Sequence, residues 1–353
     1  MKKSLLAALG ALALPLPTMA ADAPPPVTPD GIVAAAPALD WTAIAASDLM
    51  VMDLAPDAKG RSRRVVIQLI PPPFSQGWVE NVRALVAARW FDGTAVIRSQ
   101  DNYVAQWGDP GGDDPKTAKA LPGGLRVMAE SEYQIDPMIG LSKAALSPTA
   151  TDQEKLMWQG YATLCEFDPT KAPLVPCPVI RGSDQHSGRT YAALEYHFGG
   201  WPIASDYGRQ WPVHCYGMVG VGRGLSPNTG DGSSLYVVNG TPPRQLDRNI
   251  ALVGRVIEGM EHLSTLPRGT GPLGFYETPQ EYTPIASVRM GGDVAALPAY
   301  EYLSTESASF AAYASKRANR KDDFYITPAG GVDVCNVPVP VRRAGAAVKA
   351  VGK

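Results

Sequence analysis

Two apolar runs near the start of the chain, DLMVMDLAP and RRVVIQLIP, are separated by a polar turn at residues 57–60, a pattern that predicts an antiparallel hairpin. The next segment, SQGWVENVRALVAARWF, spaces Trp78, Val82, Leu85, Val86 and Trp90 at helical intervals, with Ser75 as a candidate N-cap. DGTAVIRSQDNYVAQWGDP then predicts a second hairpin, with strands over 94–99 and 103–108 joined by a turn at 100–102. From Gly111 to about Pro212 the chain is rich in Gly and Pro and predicts irregular structure. One short helix is expected there, in DQEKLMWQGYATL, where Thr151 and Glu154 have capping-box spacing. Strand signals resume at CYGMVGVGR, SLYVVNG, NIALVGRV and IASVRMGGDV, with a short helix near 257–263. The Pro- and Ala-rich stretch 21–40 predicts an extended, poorly ordered lead-in, and the basic tail from Pro340 predicts fraying. The sum is a mainly β, antiparallel domain with few helices, and closing it into a barrel would remove its edge strands.

One polar pair breaks the pattern of the second hairpin. Strict alternation along a strand puts Val96 and Arg98 on one face, and Val104 and Gln106 on one face of the partner strand. An arginine on an otherwise apolar ribbon is either an edge charge reaching into water or part of a site.

Composition narrows the choice only a little. The 353 residues, 45% hydrophobic and 19% charged, suffice for one large domain or two small ones, and a formal charge of −2 argues against a nucleic-acid footprint. The N-terminus MKKSLLAALGALALPLPTMA has a basic start, a short apolar run over 5–16 and small residues around Ala20, as a secretory signal does. Its cleavage would remove Lys2 and Lys3 and leave −2 − 2 = −4. The expectation is an exported, periplasmic protein with no membrane-spanning segment after cleavage.

Export changes how the four cysteines read. Cys165, Cys177, Cys215 and Cys335 suggest disulfides before metal ligands, and four cysteines allow three connectivities. Cys165–Cys177 is the local pairing and the favoured one. Cys215–Cys335 would form if the C-terminal segment packs back near CYGMVGVGR. Neighbours on a strand point to opposite faces, so His214 and Cys215 make a poor metal or thiol site, and no CxxC or HExxH spacing supports one.

Read in order, several motifs resemble those of the cyclophilin-type peptidyl-prolyl cis-trans isomerases. RRVVIQLIPPP, ENVRAL, DGTAVIR with YVAQWGDP, SPNTGDGSSLYVV, and LDRNIALVGRVIEGM followed by IASVRM stand in the family's order over 48 to about 294. The resemblance implies a closed eight-stranded antiparallel β-barrel capped by two helices, with a large irregular insertion at about 137–213. With the N-terminal signal (1–20) and lead-in (21–47) read above, it leaves the barrel domain over 48–294 and a C-terminal extension over 295–353. It implies no cofactor and no metal.

By the same resemblance Arg98 takes the catalytic position and Gln106 that of its groove partner. Tyr103, Val104, Tyr236 and Leu246 fall on the apolar wall, Ser234, Gln245 and Ile250 at polar or aromatic positions, and Gly224 and Leu225 where backbone contacts to substrate are expected. An X–Pro bond rotates slowly because amide resonance sets a barrier of about 18–20 kcal/mol. A guanidinium can hold the substrate carbonyl and donate toward the prolyl nitrogen as it pyramidalises, binding the twisted amide better than the planar one. Ser234, Gln245 and Ile250 stand where the family carries other side chains, so several polar contacts are missing. The implied function is isomerisation of X–Pro bonds in unfolded or partly folded exported proteins. The alternative is a catalytically weak module that binds proline peptides or acts as an envelope chaperone.

Overall fold

The computed structural model describes residues 27–136, 191–192, 194–206 and 208–345. The signal segment, the helix expected after Thr151, and Cys165 and Cys177 with their favoured pairing lie outside the described residues. In chain order the strands are β1 (Trp41–Ile44), β2 (Leu49–Leu54), β3 (Arg63–Leu69), β4 (Ala95–Ser99), β5 (Val104–Gly108), β6 (Leu194–Phe198) and β7 (Trp201–Asp206). They continue with β8 (Arg209–Pro212), β9 (Met218–Val221), β10 (Leu235–Val238), β11 (Leu252–Glu258), β12 (Thr283–Met290), β13 (Tyr300–Leu303) and β14 (Val341–Arg343). The helices are α1 (Pro29–Ala35), α2 (Gln76–Ala87), the single turn α3 (Glu261–Ser264) and α4 (Ala308–Ala318).

Eight strands close into an antiparallel barrel in the order β10-β5-β4-β12-β2-β3-β11-β9. Met50, Met52, Val65 and Ile67 point into the barrel core, while Leu49 and Val66 pack outward against Ile44 and Tyr300. Apolar partners on both sides explain why β2 and β3 read as continuous apolar runs instead of alternating ones. Helix α2 inserts Trp78, Val82 and Leu85, all fully buried, into the same core. Ser75 does not cap α2. Its φ of 54° is left-handed, outside the extended geometry an N-cap needs, and its side chain makes no capping hydrogen bond.

Two further three-stranded sheets flank the barrel, β6-β7-β8 and β1-β13-β14. The first corrects the expectation of an irregular middle: its strands occupy the end of that stretch and pair in register from Phe198↔Trp201 to Asp206↔Arg209. Its Trp201 and Trp211 join the main core. The second corrects the expectation of a loose lead-in and a frayed tail. Thr28 caps α1 through Gly31 N–H at 3.0 Å, and β1 and β14 both pair with β13. Val33, Trp41, Leu303, Phe310 and Tyr313 give this corner a core of its own. A disulfide joins Cys215 to Cys335 and ties the extension to the barrel.

His197 on β6 sits at this junction, edge-on to Phe310 at 5.0 Å. Burial holds its pKa down at about 3, against the raising effect of a hydrogen bond with the Val337 backbone. The native ring therefore stays neutral where the unfolded ring, with a pKa of about 6.5, takes up a proton. The unfolded state binds more protons between those two values, so stability falls as pH drops through that window, by up to about 1.4 kcal/mol per pH unit. His197→Gln should flatten that slope. Urea denaturation at about pH 7.0, 6.3 and 5.5, above the range where most carboxylates titrate, checks it; an unchanged slope rules the account out.

Candidate functional site

Arg98 and Gln106 meet across the β4–β5 hairpin, but not by the alternation the sequence suggests. Val96 pairs with Trp107 and Arg98 with Gln106, so Ile97 is an extra residue, a β-bulge. Val96 and Trp107 accordingly belong to the main core, while Arg98 and Gln106 emerge on the outer face. Val96 and Arg98 do not share a face. Val104 and Gln106 do, and Val104 packs with Tyr236 and Val238 in an outer apolar cluster. The turn below them is held by Asn102 at φ 49°, a conformation asparagine tolerates, with its side-chain oxygen accepting the Thr241 N–H at 2.8 Å.

Arg98 is clamped on several sides. Its Nε–H donates to the Leu273 carbonyl at 2.8 Å, one Nη1–H to Gln106 Oε1 at 3.0 Å, and one Nη2–H to Gln100 Oε1. The guanidinium carbon lies 5.0 Å from the Phe275 ring centre and 5.6 Å from that of Tyr103. Burial pushes its pKa down from the ordinary arginine value, the nearby Tyr103 acting in the opposite sense. A guanidinium has five N–H groups. Three are engaged by acceptors among the described residues, and two remain to meet a substrate. The Leu273 loop reaches this position because Gly274, at φ 77°, lies against the Gln100 backbone, where a Cβ would stand 2.6 Å from Cα.

Gln106 passes its own amide on to Ser234, Nε2 to Oγ at 3.0 Å, so Ser234 serves the pair from β10's leading edge. Tyr103, Leu246 and Ile250 pack, half-buried, against the Val104–Tyr236–Val238 cluster. Thus Arg98, Tyr103, Val104, Gln106, Ser234, Tyr236, Leu246 and Ile250 converge on one outer surface. Gln245 is exposed, and Leu225 stands 91% exposed on its loop. Gly224 offers less backbone than anticipated. Its N–H donates to Asn228 Oδ1 at 3.2 Å and its carbonyl accepts from Arg223 at 2.8 Å.

Sequence reasoning passed over four neighbours of this surface. Gln100 lies two residues from Arg98, and period-two alternation alone could have suggested it. Leu273 and Phe275 come from a loop whose approach nothing in the sequence marks. His214, considered only with Cys215, turns instead toward Tyr236 and Asp247. Among the described residues no cluster of His, Cys, Asp and Glu is arranged to hold a metal ion, and no helix is long and apolar enough to cross a membrane.

The surface combines a donor-bearing guanidinium with an apolar wall, suited to holding a carbonyl beside a proline ring. A cyclophilin from Hirschia baltica matches the fold with a TM-score of 0.55 at 21% sequence identity, covering 86% of this chain and 92% of that one. A cyclophilin type peptidyl-prolyl cis-trans isomerase of Cryptosporidium parvum aligns at 12% identity over 69% of this chain and 97% of its own, with a TM-score of 0.36. No curated protein matches the sequence. The family described as cyclophilin type peptidyl-prolyl cis-trans isomerase/CLD matches residues 75–290, well over half of the chain and the span that carries Arg98, Gln106 and Tyr236. The chain belongs to the cyclophilin-type peptidyl-prolyl cis-trans isomerases.

Proposed function

We propose that this isomerase acts in the periplasm on X–Pro bonds of exported proteins and assists their folding, with Arg98 as the catalytic group. The observation that carries the assignment of the site is the geometry of Arg98: fixed through three N–H groups, it keeps two for a substrate beside the Val104–Tyr236 wall. No covalent step is needed. The proline ring rests on the apolar wall, the guanidinium holds the substrate carbonyl, and the prolyl nitrogen gains a donor as its lone pair localises. Gln106, itself held by Ser234, fixes the plane of the guanidinium. Export is supported by the N-terminal pattern of two lysines, an apolar run and small residues.

Two measurements test the proposal. A protease-coupled assay on a short Ala-X-Pro-Phe peptide should show acceleration of the cis-to-trans step, and binding without acceleration would replace catalysis by simple recognition. Fractionation of cells expressing the full chain should recover a shortened mature form in the periplasmic fraction; recovery of an uncleaved form in the cytoplasm would reject the location.

A further inference from the structure

Resting on the reading of this groove as the proline site, we propose that His214 is a positioning residue, which fixes the pocket wall by holding the hydroxyl of Tyr236. The phenol of Tyr236 does not face the groove mouth. Its oxygen lies 2.9 Å from Nε2 of His214, and the two rings are nearly parallel, 10° apart. Both residues are buried, His214 completely.

The chain of contacts behind His214 fixes its proton and its orientation. Nδ1 lies 2.8 Å from Asp247 Oδ1, which also accepts the backbone N–H of His214 at 3.0 Å. An ionised carboxylate only accepts, so Nδ1 carries the ring proton and, in the neutral ring, bare Nε2 accepts from the phenol. Asp247 is kept ionised: burial alone would raise its pKa, but His214 and Arg244 outweigh that and hold it below the ordinary value. Its second oxygen takes Arg244 Nε at 2.7 Å, and Arg244 continues to Glu195 on β6 at 2.5 Å. The tether therefore ends outside the barrel, in the flanking sheet.

The wall needs such a tether because of what lies beneath it. Tyr236 lies across Gly220 of β9, where a Cβ would stand 2.3 Å from the phenol oxygen. Glycine permits that close approach and offers no side chain to stop the ring from pivoting. The hydroxyl supplies the stop. A phenylalanine at this position would have nothing for His214 to hold.

A histidine that merely satisfies a buried hydroxyl makes a different prediction from one that positions the wall, and three variants separate them. Tyr236→Phe keeps the ring and removes the tether. KM for the proline peptide should rise about 3- to 10-fold, the worth of one hydrogen bond, with kcat little changed. His214→Leu should raise KM similarly and also lower Tm, because a buried hydroxyl loses its acceptor. The double variant removes both polar atoms, so Tm should recover toward wild type. Asp247 retains Arg244 and the backbone N–H at position 214 in every case. If positioning is the role, KM stays raised in the double variant although Tm has recovered. Recovery of KM together with Tm, or a wild-type KM in Tyr236→Phe, overturns the inference. NMR titration of the same peptide gives its Kd independently of turnover. A wild-type protein that neither binds nor isomerises the peptide would overturn the groove reading itself, and the inference with it.

Discussion

Replacing Arg98 by alanine should lower kcat/KM for an X–Pro peptide by about 10²–10³-fold, the usual loss on deleting one preorganised donor to a developing charge. Stability should change little. Arg98 is half-buried on the outer face, and the acceptors it leaves behind, the Leu273 carbonyl and two glutamine side chains, can be reached by water. Arg98→Lys should rescue little of the rate. An ammonium cannot donate to Leu273, Gln100 and Gln106 in one plane and still face the substrate. Gln106→Ala should cost less than Arg98→Ala, since the guanidinium keeps two of its three anchors. Measuring kcat/KM beside thermal melts for the three variants decides the matter: wild-type kcat/KM in Arg98→Ala would remove Arg98 from the mechanism.

The largest effect on stability is expected from the Cys215–Cys335 disulfide. It closes a separation of 120 residues, for which the chain-entropy account gives roughly 4–5 kcal/mol. Residual structure in the unfolded chain makes this an upper figure. A Cys215→Ala, Cys335→Ala double variant should show the loss as a lower urea midpoint. Reducing the wild type should have a similar effect, and a midpoint unchanged in both would refute it.

Much of the barrel was legible because its strands are apolar on the core side and carry turn residues between them. The bulge was not. Ile97 looks like any other strand residue, and only the pairing of Arg98 with Gln106 reveals that it is the extra one. Alternation therefore put Arg98 on the face of Val96, whereas the bulge turns it to the outer face beside Gln106. The flanking strands escaped notice for another reason. β8 contains Pro212 and β7 contains Pro202, so propensity argued for loop while packing of Trp201 and Trp211 decided otherwise. His214 is invisible from sequence because its partners, Asp247 and Tyr236, lie 33 and 22 residues away.

The β1-β13-β14 sheet has a consequence for how the chain comes together during synthesis. Trp41 and Ile44 emerge among the first described residues, yet their partners Leu303 and Tyr300 are made roughly 260 residues later, and β14 later still. Barrel closure waits almost as long, since Met50 pairs with Met290. Contacts this distant in sequence form slowly and leave apolar edges open in the meantime. A folding chain of this protein therefore holds β1, and one edge of β2, unpartnered until segments roughly 240–260 residues further along become available, while β2 and β3 can pair at once.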